Sequence, residues 1–274
     1  MGINKICLTF DVEEFSIPSD YGIRSAYLNS TEFSREGCHN LLGVLKKHKI
    51  KSTFFITGYF AERERDAVRV IKEEGHEIAS HSYSDSDLSM LAKPELRESI
   101  EKSKKILEKV SGEKIKGFRT PQFKANPCLV GVLEELGFRY DSSVHPAIVP
   151  GHYWNWNALL NPYTPHRNNI FKKGCSSIKE IPVSVIPLIR FPISWWWMRN
   201  MGNWLTTAGA KINLCQDRSV ILYFHAWEFT NLPKIEKIPF HMTRNTGDVF
   251  LNKVESFIKL FKKRRFGRME AMVK

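Results

Sequence analysis

Apolar and polar positions along the first half of the chain alternate in short blocks of two kinds. Ile6, Leu8 and Phe10 alternate with Cys7 and Thr9, a strand pattern that stops on three acids, Asp11, Glu13 and Glu14. After a polar loop over residues 16–30, Phe33, Leu41, Leu42 and Leu45 share one side of a predicted helix over 32–48, with Ser30 or Thr31 as its cap. Residues 51–57 read as a buried strand, 61–74 as a helix stopped by Gly75, and 76–80 as a short strand. A polar loop, 81–89, leads to a helix over about 94–110 with proline in its first turn. Residues 115–119 are strand-like, 127–136 a helix closed by Gly137, and 138–142 strand-like again. Residues 144–178 are irregular and rich in Asn, Pro, Trp and Tyr. Beyond them come a strand within 178–187, a helix over 199–215, a very apolar strand over 219–225, and a basic C-terminal helix over about 248–265.

Strands alternating with helices imply parallel strands covered by helices. The expectation is one α/β domain over residues 1–274, a distorted (β/α) barrel of about seven parallel strands with its core over about 5–229. An open doubly wound sheet is the alternative. In either fold, functional residues gather at the C-terminal ends of strands. Asp11, Glu13, His81, Arg119, Asp141 and His225 all fall at or just after predicted strand ends.

Each of these residues has two readings. Successive strand side chains point to opposite faces, so Asp11 and Glu13 share a face if the strand runs on to Glu14. Paired carboxylates there suit a metal site, or a base beside a metal; a solvated strand end is the plainer account. His81 and Asp85 are four apart, so one helical turn would put both on one face, a metal-ligand spacing. In a serine-rich loop they also read as solvated or capping groups. Arg119 is a structural ion-pair partner or an orienting group for a catalytic acid. Asp141 is a turn or cap residue. His225 is a satisfied core histidine or a general acid.

Composition narrows the setting. Hydrophobic content of 42% and charged content of 26% are ordinary for a globular protein. The first residues lack the apolar region and cleavage site of a secretory signal, which points to the cytosol. The five cysteines are scattered, with no C-x-x-C pair, against a disulfide framework or a thiolate zinc site. A net charge of +12 favours an anionic partner. No nucleic-acid motif accompanies it, so nucleic acid is not expected; the basic cluster from Lys259 to Arg268 reads better as affinity for an anionic membrane surface.

Five motifs occur in order: FDVEE, HSYSD, RTPQF, YDSS and YFH. In that order the chain resembles the polysaccharide deacetylases, carbohydrate esterase family 4, over about residues 5–229. The D-x-E form of the first motif is similar to the intracellular, lipid-sugar branch. The resemblance implies a distorted β/α barrel and hydrolysis of an N-acyl amide. It implies Asp11 as general base, Arg119 as the residue that holds and ionises it, and His225 as general acid to the leaving amine. Glu13 is the implied first metal ligand, with Glu14 a weaker candidate, and His81 the second. Backbone N–H groups near Gln122 are implied to bind the oxyanion, with Asp141 beside the site or behind it. The implied cofactor is one divalent metal, zinc first, with manganese or iron as alternatives. The family's third ligand is usually a histidine; here it is Asp85, which makes the site harder and more anionic.

The run 181–205 is the most apolar and aromatic of the chain, but Arg190 and three prolines argue against a membrane span. Trp195, Trp196, Trp197 and Trp204 suit core packing, sugar stacking or a membrane surface. The expected substrate is an amino sugar, lipid-linked or nucleotide-linked and hence phosphate-bearing, on the way to an O-antigen or capsule. The expected place is the cytoplasm, at the inner membrane surface. Rival readings are a catalytically silent carbohydrate-binding protein on the same fold, and hydrolysis of a cyclic amide or a formyl group.

Overall fold

The computed structural model describes residues 5–151 and 153–273. Its first strand, β1 (Lys5–Val12), sets the plan because both of its faces are buried. Ile6, Leu8, Phe10 and Val12 pack outward against helices, while Cys7, Thr9 and Asp11 point inward. Around it run β2 (Thr53–Ile56), β3 (Glu77–Ser80), β4 (Gly117–Phe118), β5 (Tyr140–Asp141), β6 (Lys179–Glu180) and β7 (Val220–His225), all parallel, in the order β6-β5-β4-β3-β2-β1-β7. A short β8 (Arg265–Phe266) joins the start of β1. The gap between β6 and β7 is bridged by Ser184, whose N–H donates to the Ile221 carbonyl (2.9 Å) and whose Oγ accepts from the Ile221 N–H (2.9 Å). This is the distorted (β/α) barrel with seven strands on its main path, not an open doubly wound sheet.

The helices cover the outside: α1 (Glu32–Lys47), α2 (Gly58–Arg63), α3 (Arg65–Glu73), α4 (Lys93–Ser111), α5 (Leu129–Glu135), α6 (Trp195–Met201), α7 (Asn203–Cys215) and α8 (Asp248–Leu260). The inside of the barrel is filled by Cys7, Phe55, Ala79, Ile181, Ile221 and Tyr223. Its lower end, where the strands start, is closed by residues 265–273. There Met269 is fully buried and its N–H donates to Thr53 Oγ1 (2.9 Å), and the Glu270 N–H donates to Glu77 Oε2 (3.0 Å).

Several sequence expectations are corrected. The 61–74 helix is two, because Glu64 leaves helical geometry (φ −116°, ψ 48°) between α2 and α3. The 199–215 helix is also two and starts earlier; Gly202 breaks it with φ 92°. The basic C-terminal helix ends at Leu260: Lys262, Lys263 and Arg264 lie beyond it, and Arg265 enters β8. The loop after β1 contains a short helix, Ile17–Asp20. Thr31 stands at the N-terminus of α1 but does not cap it, since its hydroxyl donates to Glu64 Oε1 (2.7 Å). Within 144–178 the structure shows two small antiparallel hairpins, Ile148–Val149 with Tyr153–Trp154 and Pro165–His166 with Asn169–Lys173. Val185–Ile186 and Phe191–Pro192 form a third rather than extending β6. Among the described residues no helix is long and apolar enough to cross a membrane.

Candidate active site

The upper mouth of the barrel collects the polar residues. The alternation of β1 turns Asp11 inward, and the register sets it beside Phe55 on β2 and His225 at the end of β7. Asp11 is buried, and Arg119 Nη1 holds its Oδ1 at 2.7 Å. Arg119 is itself fully buried: Nη1 also donates to Thr9 Oγ1 (2.9 Å), Nε to the Ser142 carbonyl (3.2 Å) and Nη2 to Ser142 Oγ (3.1 Å). Its guanidinium lies 4.1 Å from the centre of the Phe55 ring. A buried arginine paired in this way fixes the carboxylate's position through a charge-assisted hydrogen bond.

Asp141 stands behind this pair. It is fully buried, so the structure places it out of a substrate's reach. Its Oδ1 accepts from the Ser142 N–H (2.9 Å) and Ser143 Oγ (2.6 Å), which fixes the serine that holds Arg119. Its neighbour across the sheet is Glu180, also fully buried. Burial pushes Asp141 up to about 7 and, with the Asp141 charge, raises Glu180 well above the usual carboxylate range.

β1 ends at Val12, so Glu13 reaches the mouth from an irregular segment rather than from the strand. His81 Nε2 is 3.4 Å from Glu13 Oε2, and Trp227 Nε1 donates to Glu13 Oε1 (3.2 Å). The other ring nitrogen of His81 donates to the Arg119 carbonyl (2.8 Å), which leaves Nε2 facing Glu13. Asp85 completes a group in which one ligand atom from each of Glu13, His81 and Asp85 lies within 4.8 Å of the others. The reason differs from the expected helical turn. Residues 81–85 are a loop with Ser82 at φ 62°, and the loop is tied down from outside. Ser16 Oγ donates to Asp85 Oδ2 (2.5 Å), and the Asp85 N–H donates to Glu14 Oε1 (2.8 Å). Glu14 also accepts from Thr57 Oγ1 (3.0 Å), so it positions Asp85 and stands outside the ligand group.

These donors fit a divalent cation. Burial first, and the Glu13 charge second, push Asp85 up to about 8 against the opposing charge of His81, so a cation beside the two carboxylates would relieve both. Burial opposes the charge on Glu13 as well, but the charge on His225 and the hydrogen bond from His81 outweigh it and hold Glu13 below its ordinary value. Two carboxylates and one imidazole suit zinc, manganese or iron.

His225 sits opposite. Its ring stacks on Trp227 (5.1 Å, 15°) and meets the Trp195 ring edge-on (4.7 Å, 89°). Glu228 folds back under it: Oε2 accepts from the His225 N–H (2.9 Å) and lies 3.4 Å from Nδ1. Arg199 Nη1 in turn pairs with Glu228 Oε1 at 2.9 Å, both residues fully buried. Burial alone would lower the His225 pKa, but Glu13 and Glu228 raise it to about 9. Glu228, Arg199, Trp227 and Ser16 are site residues that the motifs did not indicate. Only Glu228, three residues after His225 and followed by Phe229, carried a sequence signal: an acid set in an apolar stretch.

Gln122 lies in the turn Pro121–Phe123 that follows Arg119, with φ 55° at both Gln122 and Phe123. Such left-handed geometry away from glycine marks a turn held by its surroundings. The Trp-rich segment divides. Trp195 faces the site, with Nε1 donating to Tyr223 Oη (2.8 Å), while Trp204 is 65% exposed. The basic cluster does not join it. Because β8 pairs with the first residues of β1, Lys262–Arg265 lie at the end of the barrel opposite the site.

A sequence model described as "Polysaccharide deacetylase" matches residues 2–140, and one described as "Domain of unknown function (DUF3473)" matches residues 142–274. A peptidoglycan-N-acetylglucosamine deacetylase of Bacillus cereus is 38% identical over 81 residues, 30% of this chain and 30% of that protein. The chain spans about a third of the length of the curated relatives it matches. Among solved structures, one from Mycobacterium smegmatis assigned to the polysaccharide deacetylases superposes with a TM-score of 0.68 at 22% identity, covering 100% of this chain and 91% of that one. A CE4 family pseudoenzyme from Bacillus anthracis superposes with a TM-score of 0.58 at 13% identity, covering 100% and 66%. The superpositions share the barrel, and the family match spans the strands that carry Asp11, His81 and Arg119. The chain belongs to the polysaccharide deacetylase family.

Proposed function

We propose that this protein hydrolyses the N-acyl amide, acetyl or formyl, of an amino sugar, with a divalent metal held by Glu13, His81 and Asp85. The observation that carries this reading is the meeting, in one barrel mouth, of an arginine-held carboxylate, a three-donor ligand group and a carboxylate-backed histidine. The bacterial relative named above is a peptidoglycan-N-acetylglucosamine deacetylase, which supports the bond type. The net charge of +12 supports a phosphate-bearing substrate, lipid-linked or nucleotide-linked, in the making of a surface polysaccharide.

The metal, when bound, polarises the amide carbonyl and lowers the cost of generating the nucleophile. Asp11, held by Arg119, takes the proton from the attacking water. His225 gives a proton to the departing nitrogen, which needs one because an amide anion is a poor leaving group. A cation on Glu13 would offset part of that residue's pull on His225, and Glu228 then keeps the imidazole charged. The turn at Gln122, directly after Arg119, is the expected place of the developing oxyanion, although its Phe123 and Lys124 N–H groups donate within the turn to the Thr120 (3.3 Å) and Pro121 (3.2 Å) carbonyls.

A second reading, a silent carbohydrate-binding protein, draws on one observation: Asp85 in place of a third neutral ligand, with its carboxyl pushed up to about 8. Elemental analysis of the purified protein beside Asp85→His separates the two. About one zinc, manganese or iron per chain, together with acetate or formate release from a panel of N-acylated amino sugars that Asp11→Asn lowers by about 1000-fold, supports hydrolysis. No metal in the unmodified chain even after loading, with metal gained by Asp85→His, supports the silent reading.

A further inference from the structure

Two hairpins beside the barrel mouth share one edge. His145, whose ring packs against Phe123 and Tyr223, leads three residues later into the hairpin of Ile148–Val149 with Tyr153–Trp154. The Ile148 N–H donates to the Arg190 carbonyl (3.0 Å), which joins this hairpin to that of Val185–Ile186 with Phe191–Pro192. Large apolar side chains face solvent on both: Leu188 (92% exposed) and Ile189 (62%) at the turn of one, Trp154 (69%) on the second strand of the other and Trp156 (60%) just after it. Exposed apolar side chains clustered in this way mark an interaction surface.

Charge says what kind of surface they meet. Between residues 142 and 215 the chain carries seven Lys or Arg and one carboxylate, Glu180, which is fully buried. Arg199 is buried on Glu228 and Arg167 pairs with Glu134, which leaves five cations, Lys172, Lys173, Lys179, Arg190 and Lys211, and no exposed acid within this stretch, which supplies both hairpins. Arg190 follows the exposed Leu188 and Ile189 directly, and its side chain is tethered to the Ala158 carbonyl (2.8 Å) at the base of the hairpin. Exposed tryptophans, an aliphatic turn and an excess of cations over exposed acids match the interface of an anionic bilayer. A protein partner would more commonly meet a rim of both signs.

We propose that the exposed apolar side chains of these two hairpins, Leu188 and Ile189 at one tip and Trp154 and Trp156 beside the other, dock the protein on an anionic lipid surface. The docking stands apart from the hydrolytic reading, since it needs neither metal nor substrate. It places the membrane contact on the hairpins rather than on the basic segment at the far end of the barrel.

The test is co-sedimentation of the full chain, metal-free, with vesicles of phosphatidylcholine and of phosphatidylcholine mixed with phosphatidylglycerol, at low and physiological salt. The expected result is binding to the mixed vesicles that weakens as salt rises. It should fall at least about tenfold in the double variant Leu188→Glu, Ile189→Glu and in Trp154→Ser, because each removes inserted apolar surface. Lys262→Glu with Lys263→Glu should bind like the unmodified chain. Far-UV circular dichroism and melting temperature confirm that the tip variants stay folded. Absence of binding at low salt overturns the proposal. So does binding that survives the tip variants, or that is lost only with the C-terminal charges. A concentration-dependent dimer broken by the same tip variants would assign the patch to a second copy of the chain instead. None of these outcomes depends on amidase activity.

Discussion

Arg119 is the residue on which the site turns. It spans from Thr9 and Asp11 on one side of the barrel to Ser142 on the other, so its value lies in geometry as much as in charge. Lysine has no planar fork and cannot reach all three at once. Arg119→Lys should therefore lower kcat by about 100-fold with little change in KM, measured on whichever N-acyl sugar the screen finds. Glu228 affects the other end of the reaction. Glu228→Gln removes a charge that raises the His225 pKa, so the imidazole loses its proton earlier as pH rises. The alkaline limb of the kcat/KM profile should move down by about one unit, while the acid limb, set by the base, stays in place. A shift of both limbs would mean that Glu228 supports the fold rather than the acid.

At the scale of elements, close approach and buried neutrality make local demands. Helix α1 lies so near the turn after β7 that a Cβ on Gly37 would come 1.9 Å from the Ala226 carbonyl oxygen. Gly37→Ala should cost about 2–3 kcal/mol in urea unfolding, because backbone must move to admit it. Just before β3, His76 accepts a hydrogen bond at Nδ1 from the Ser52 N–H (3.1 Å), a role open only to the neutral ring. Burial first, and the Lys51 charge second, lower its pKa from 6.5 to about 4. The unfolded chain thus takes up this proton at higher pH than the folded one. The stability it contributes is complete above about pH 6.5 and is lost as pH falls towards 4. Urea midpoints at pH 7.5 and 5 should differ accordingly, and His76→Gln, which cannot titrate, should flatten the slope.

The same scale shows what the sequence made legible. Strands buried on both faces, by helices outside and by the barrel's own core inside, carry continuous apolar runs, so β1, β2, β3 and β7 stood out, and Asp11, Glu13, His81 and Arg119 could be placed at or just after strand ends. The small hairpins of 148–192 could not be read, since all their strands except Asn169–Lys173 have two residues and leave no period to detect. Residues 261–265 favour helix by composition, yet the pairing of β8 with Lys5 and Ile6 overrides that preference. The Glu228–His225 contact depends on a tight turn, and Arg199 reaches Glu228 from another helix, so neither shows as spacing.

For the whole molecule, the plug at the lower end of the barrel is the decisive contact. Removing residues 265–273 takes away Met269 and opens the floor on which Cys7 sits. Burial now pushes the Cys7 thiol up to about 12, out of reach of neutral-pH thiol reagents. The truncated chain should melt at least about 5 °C lower and titrate one more thiol than the full chain. Unchanged thiol reactivity would mean that the floor closes without the plug.

The placement of β1 between β2 and β7 also bears on how the chain comes to be active. Thr9 bonds to Leu222 across a separation of 213 residues, and Asp11 lies in register with His225. Contacts of such long range form late, after the local helices and the β2–β3 pairing. A half-folded chain therefore has the base on one strand and the acid on another that has not yet docked. Refolding should restore helical signal well before any amidase activity, and the activity should appear in a single late step rather than gradually.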